Sequence, residues 1–379
     1  MNGSNQEEAW RAAGLYDPLD PDAAGRLALL GYLTERGATV EQMVEAHRTD
    51  SLPAVAGEIV TQGRSGMVTV ADLAQHCGLS VSRVLRVLLA TGIPAQSETE
   101  VPADLSSLLA AFEEAAALMG EEPILAFTRV LGAAATNIAE AAIALFFAEL
   151  GPGTGRGGLD ELGRARLAES ATTIFTEVPD VLAHLVMDAF ERAQRRALTT
   201  RSWLGPGRSA NDEAEGPTEV VALGFVDLVG STAWSETLPL RDQNLALTRF
   251  ESAAWTSAVL AGGRVVKMIG DEVFFAAPTS EAACRIGLEV CRAADDDDVL
   301  PPARGAVGVG SATPREGDYF GPLVNLLSRL VKAAAPGEVV VTEAVAAELS
   351  SEAWQLRPLQ PVTLRGIAAP VRSLVVERR

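Results

Sequence analysis

A change of grammar at residues 199–217 constrains this chain more than any other feature. The stretch TTRSWLGPGRSANDEAEGP gathers Gly, Pro, Ser and acidic residues and carries no apolar period, which is the composition of a linker. Before it, Ala- and Leu-rich segments place apolar residues every three or four positions. After it, short β-branched and aromatic runs alternate with helical ones. A chain of 379 residues has room for about two domains. The change of pattern says where they part: a helical domain over 1–198, a linker over 199–217 and an α+β domain over 218–379.

Charge narrows the partners. A net charge of -19 lacks the basic patch that nucleic acid or an anionic membrane surface would need. Three cysteines make no disulfide framework, and Cys284 and Cys291, seven apart on one helix face, read as core thiols. Residues 1–10 are polar and lack the apolar run of a signal peptide. The most apolar segment, Leu131–Leu150, carries Asn137 and Glu140, and the uncharged run after them, Ala141–Ala148, falls short of the ~20 residues a span needs. The expectation is a soluble cytoplasmic protein with no integral membrane segment. The run Asp295–Asp298 reads as a solvated loop.

In the first half, helices are expected at 21–37, 40–47, 105–119 and 123–150. Val70–Cys77, the turn Gly78-Leu79-Ser80 and Val81–Thr91 form a helix–turn–helix pattern with Ser80 as N-cap. A DNA-reading helix wants basic residues at its start, and only Arg83 and Arg86 are there, so packing is the reading and no nucleic-acid partner is expected. Ile124, Phe127, Leu131, Ile138, Ala142, Leu145 and Phe146 make a broad apolar face, suited to a bundle core or dimer seam, with a groove for a lipid-like ligand as the alternative. Residues 159–199 continue helical, with a break expected at Pro179. Beyond it His184 has Asp180 and Asp188 four residues to either side on one helix face. Carboxylates so placed favour the imidazolium, which makes His184 a candidate pH-responsive residue beside the plainer reading of a solvated histidine.

The second half carries the chemistry. Val220–Asp227 is a buried-looking strand ending in a carboxylate that can hold a hard cation. The following Leu228, Val229, Gly230, Ser231 and Thr232 turn into a helix whose first N–H groups could cradle phosphate. Arg264–Ala277 is two apolar runs around Gly270-Asp271, a hairpin that places Asp271 at its tip. If that tip lies beside Asp227, two carboxylates converge on a Mg²⁺ site that takes its other ligands from phosphates. Lys267 is one of only two lysines among 31 basic residues, and it sits in an apolar strand. Either a compact point-charge donor is wanted there or the strand is an edge. In GDYFGPLVNLLSRL, Pro322 suits a first helical turn, and Asn325 and Arg329 lie four apart on one face. An amide beside a guanidinium can orient a ribose and stabilise charge on a phosphoryl group.

FVDLVGST, VVKMIGDEVFF and GDYFGPLVNLLSRL, in this order and about forty residues apart, together resemble the catalytic domain of the class III nucleotidyl cyclases. The resemblance runs from Val220 to about Val376, and the helical first half is similar to the regulatory half of the acid-activated mycobacterial adenylate cyclases. It implies a ferredoxin-like βαββαβ fold. It also implies ATP as substrate, two Mg²⁺ or Mn²⁺ ions on Asp227 and Asp271, adenine selection by Lys267 and Asp318, and ribose and transition-state roles for Asn325 and Arg329. A guanine reader of this family would carry Glu and a small residue such as Cys in place of Lys267 and Asp318. The family builds each site between two subunits, so a homodimer with two shared sites is implied. An N-terminal domain that restrains the catalytic dimer is the expected regulation. The competing readings are a diguanylate cyclase, whose turn motif Ile269 and Val273 break, and a silent cyclase-like sensor or scaffold.

Overall fold

The computed structural model describes residues 3–61, 66–150, 159–199, 218–367 and 369–379. The chain divides into two units, Met1–Asp188 and Ala189–Arg379. Most of the 199–217 linker lies outside the described residues.

The first unit runs α1 (Gly3–Ala12), α2 (Ala23–Glu35), α3 (Val40–Arg48), α4 (Val55–Thr61), β1 (Met67–Thr69), α5 (Val70–Cys77), α6 (Val81–Ala90), β2 (Glu100–Pro102), α7 (Leu105–Met119), α8 (Glu121–Leu150) and α9 (Glu161–Phe175); α10 (Val178–Thr199) begins in it and continues past the division. One core gathers Trp10, Leu29, Leu33, Met43 and Ala165. A second gathers Val70, Leu73, Val84, Leu88, Phe112 and Ile124. Ser80 caps α6 by accepting a hydrogen bond from the Arg83 amide, as its position before an apolar run requires.

Four expectations are corrected. The first half is not all helix: β1 and β2 pair antiparallel, Val68 opposite Val101, and strands of three residues are too short to show a period in sequence. The break before α10 falls at Thr176 and Glu177, while Pro179 sits in the first turn of α10, where its missing N–H breaks no helical bond. The apolar face of α8 is core only at its start, through Ile124 and Leu125; Phe127, Leu131 and Leu145 are exposed. Part of that helix, Glu121–Phe146, is long and apolar enough to cross a membrane by length and composition alone, although Arg129 and Glu140 interrupt it. In the four-Asp run, Asp297 is no free surface charge. It accepts from Arg249 Nε at 2.7 Å and from the amides of Val299 and Leu300, so it closes the loop after the helix.

The second unit runs β3 (Glu219–Leu228), α11 (Ser231–Ser235), α12 (Leu240–Leu260), β4 (Arg264–Ile269), β5 (Glu272–Ala277), α13 (Ser280–Asp295), β6 (Ala303–Arg315), β7 (Asp318–Phe320), α14 (Pro322–Leu330), β8 (Val339–Thr342), α15 (Glu343–Glu348), β9 (Trp354–Pro358) and β10 (Ser373–Arg378). The sheet order is β4-β5-β3-β6-β8-β10-β9, with β7 folded back on β6. Its first four strands are antiparallel neighbours, and with α12 and α13 they form the expected ferredoxin-like βαββαβ unit.

The pleat sorts residues to two faces. Val226, Val273, Phe275 and Val307 face α12 and α13, where Phe250, Ile286 and Val290 complete a core. Cys284 and Cys291 are buried there as expected, and burial pushes both thiols up to about 12. Phe225, Phe274 and Ala306 face the other way, against Leu327 and Leu330 of α14. Gly308 allows that helix its close approach: a Cβ at this position would lie 2.9 Å from the side chains of Leu323 and Leu327.

Candidate active site

Cross-strand register assembles the site. One row across β4, β5, β3 and β6 reads Ile269, Glu272, Asp227, Arg304; the row beside it, two residues along, reads Lys267, Phe274, Phe225, Ala306. Both rows share the α14 face, because Phe225, Phe274 and Ala306 pack there. Phe225 and Phe274 stack at 4.4 Å, an apolar floor between the Lys267 edge and the carboxylate end.

The carboxylate end forms as the hairpin predicts. Gly270 turns with φ +64, a conformation open to it without a Cβ clash. The Leu228 amide donates to the Asp271 carbonyl at 3.3 Å, which ties the hairpin tip to the end of β3 beside Asp227. Two hard-oxygen side chains thus stand at adjacent strand ends. Glu272 adds a third, and its carboxyl is raised to about 7, first by burial and then by the neighbouring charge of Asp227. Arg304 supplies the counter-charge, with Nη2 3.0 Å from Asp227 Oδ2.

Lys267 lies on the edge strand β4, so the edge reading of this lysine holds for its place; its partner adds to it. The ammonium forms an ion pair with Asp318 Oδ2, while Asp318 Oδ1 accepts from the Tyr319 amide at 2.7 Å. These two residues are 51 apart in sequence, and the fold-back of β7 joins them. On α14, Pro322 occupies the first turn. Leu327 and Leu330 are buried against the sheet, whereas Asn325 and Arg329 are exposed. The Arg329 guanidinium lies across Gly366, where a Cβ would come within 3.4 Å of Nη1.

No family model matches the chain. The uncharacterized protein Rv2212 of Mycobacterium tuberculosis is 31% identical over 98% of this chain and 94% of its own length. The pH-sensitive adenylate cyclase MT1302 of the same species is 25% identical over 94% of this chain and 88% of its length. An adenylate cyclase of Glutamicibacter nicotianae is 32% identical over 54% of this chain and 52% of its length. This chain belongs to the class III nucleotidyl cyclase family.

The cyclase structure also shows what motif reading missed. Arg304 and Lys332 carry no motif signal, since their meaning lies in register with Asp227 and in the turn after α14; Glu272 lies within VVKMIGDEVFF, but only register sets it beside Asp227. Two of the five amides of the expected phosphate cradle are already engaged: Leu228 donates to Asp271 and Val229 donates to the Pro302 carbonyl at 2.8 Å. His184 stands exposed on α10, with Nδ1 2.8 Å from the Asp180 main-chain oxygen. The two basic residues of the helix–turn–helix are neutralised within their own unit. Arg83 meets Glu113 at 2.8 Å and Arg86 meets Glu122 at 2.7 Å. The hydrogen bond from Arg83 also holds the Glu121 carboxyl below the usual range.

Proposed function

We propose that this cyclase converts ATP to 3′,5′-cyclic AMP and pyrophosphate at two sites shared by a homodimer. The observation that carries the reading is the joined Lys267–Asp318 pair, with Lys267 on the same sheet face as Asp227 and with Asp271 at the hairpin tip tied to the end of that strand. An ammonium that can donate to a purine ring acceptor and a carboxylate that can accept from an exocyclic amine are complementary to adenine. The Asp318 carboxylate opposes the carbonyl that guanine carries where adenine has its amine.

A divalent ion fits the residues present. Asp227 and Asp271 offer hard oxygens, and Asp227 already attracts a cationic group, Arg304. Mg²⁺ or Mn²⁺, held by Asp227 and Asp271, would neutralise charge on the ribose 3′-oxygen and the leaving pyrophosphate. Lys267 and Asp318 would seat the base, and Asn325 would orient the ribose for in-line attack of O3′ on the α-phosphorus. Arg329 would stabilise the charge that develops on the α-phosphoryl oxygens. The amides of Gly230, Ser231 and Thr232 remain as phosphate donors in this reading.

Sharing of the site is supported by α14. Its apolar side is used against its own sheet, and Asn325 and Arg329 stand on the side left open. One protomer would supply Asp227 and Asp271, and its partner Lys267, Asp318, Asn325 and Arg329. The exposed Phe127, Leu131 and Leu145 of α8 and Val181, Leu185 and Phe190 of α10 add apolar surface of the kind a second copy covers.

The test is turnover of ATP and GTP by the purified chain with Mn²⁺. Cyclic AMP is the expected product; a preference for GTP, or no turnover, overturns the reading in favour of a guanylate-type or silent protein. In the double variant Lys267→Glu/Asp318→Cys the ATP-to-GTP ratio of kcat/KM is expected to fall by about 100-fold or more, because each position then faces the wrong partner on adenine. An unchanged ratio removes base reading from this pair.

Regulation follows the domain order. Residues 1–198 are proposed to restrain the catalytic dimer through 199–217, with His184 as the candidate acid-responsive group. A fragment beginning at Asn211 is expected to be more active than the full chain, with a smaller rate change across about pH 5.5 to 8. Equal rates and equal profiles would remove both the restraint and the acid response.

A further inference from the structure

Arg304 is placed by register directly opposite Asp227. Its Nη2 and Nε donate to the same oxygen, Asp227 Oδ2, at 3.0 and 3.4 Å, and its Nη1 donates to the Lys332 carbonyl at 3.3 Å. The guanidinium is therefore held at both ends, by a carboxylate and by the turn after α14. Both side chains are largely buried, at 21% and 13% exposure, so the pair is poorly screened. A positive charge anchored this firmly to a metal carboxylate has a consequence for the ion that must come there. A divalent ion within a few ångströms of a guanidinium meets strong repulsion at the dielectric of a half-buried site, far exceeding what one oriented hydrogen bond returns.

We propose that Arg304 is a resident counter-ion of the metal carboxylate, a positioning residue that holds Asp227 before the divalent ion arrives and weakens ion binding until substrate is present. The inference rests on the reading of Asp227 as a metal carboxylate. In the absence of nucleotide the ion must either displace the guanidinium or bind beside it. Nucleotide phosphates bring negative charge that offsets this repulsion, so ion and substrate are expected to bind with positive coupling. Empty sites then stay unloaded at ion concentrations that would otherwise fill them. The carboxylate meanwhile keeps its charge partner, which a half-buried carboxylate needs.

The experiment measures Mn²⁺ binding to the full chain without nucleotide, from the electron paramagnetic resonance of the free aquo ion. Arg304→Gln keeps a hydrogen-bond donor and removes the charge, and it is expected to tighten Mn²⁺ binding at least tenfold. Arg304→Lys keeps the charge and is expected to stay within about threefold of the wild type. Unchanged or weaker binding in Arg304→Gln overturns the proposal. Tenfold tightening in Arg304→Lys also overturns it, since geometry and not charge would then be the cause; this arm stands even if the Gln variant does not fold. Asp227→Asn separates the two levels. It should abolish the Mn²⁺ site, and if it binds as the wild type does, the metal assignment fails and the role of Arg304 fails with it. If it loses binding while Arg304→Gln changes nothing, only the role of Arg304 falls.

Discussion

Asp227→Asn is expected to lower cyclic AMP formation by at least about 10²–10³-fold, the usual scale for losing one preorganised electrostatic contact to a reacting group. The residue closes β3, between Glu272 on one side and Arg304 on the other. Asparagine has the same shape and keeps an oxygen for Arg304, so the strand end is expected to hold. What disappears is the negative charge that would gather a divalent ion. Circular dichroism and a urea midpoint close to the wild type's, together with a lost rate, are the expected pair of observations. Wild-type turnover by this variant would sink the metal assignment. A collapsed urea midpoint would instead show that the Arg304–Asp227 pair supports the fold, and Asp271→Asn at the hairpin tip would then carry the test.

Mixing two dead variants gives the second large effect. Asp227→Asn and Arg329→Ala are each expected to be nearly inactive. Refolded or co-expressed in equal amounts, they should recover about a quarter of wild-type activity. Random pairing makes about half the dimers mixed, and each mixed dimer restores one of its two sites while spoiling the other. The argument rests on α14, which spends Leu327 and Leu330 on its own sheet and leaves Asn325 and Arg329 on the open side. A guanidinium so placed is suited to a substrate held by the other protomer's carboxylates. No recovery on mixing, with a confirmed mixed dimer, would put each site within one chain.

The hairpin at Gly270-Asp271, the N-cap at Ser80 and the first-turn Pro322 were legible because each is a local event, decided within a few residues by turn or cap chemistry. The core thiols Cys284 and Cys291 were legible through helical spacing. The β1–β2 ribbon was not, since three residues carry no period and its partner lies over thirty residues away. The outward face of α8 was misjudged in part for the opposite reason: its period is clear, but periodicity cannot say whether a stripe meets its own core or stays exposed. Asp297 was hidden within a charge run whose neighbours are exposed, because only the approach of Arg249 from α12 distinguishes it.

By itself the sequence determined a mainly helical first half followed by an α+β half, the hairpin and caps within them, and the six residues whose spacing resembles a cyclase site. Those are properties of short windows, where turn chemistry, capping and apolar period act on adjacent residues. Only the tertiary structure decided that Lys267 and Asp318 meet, that Arg304 stands against Asp227, and that Asn325 and Arg329 face outward. These depend on strand register and on the fold-back of β7, and a shift of one residue in either would turn the same side chains to the opposite face.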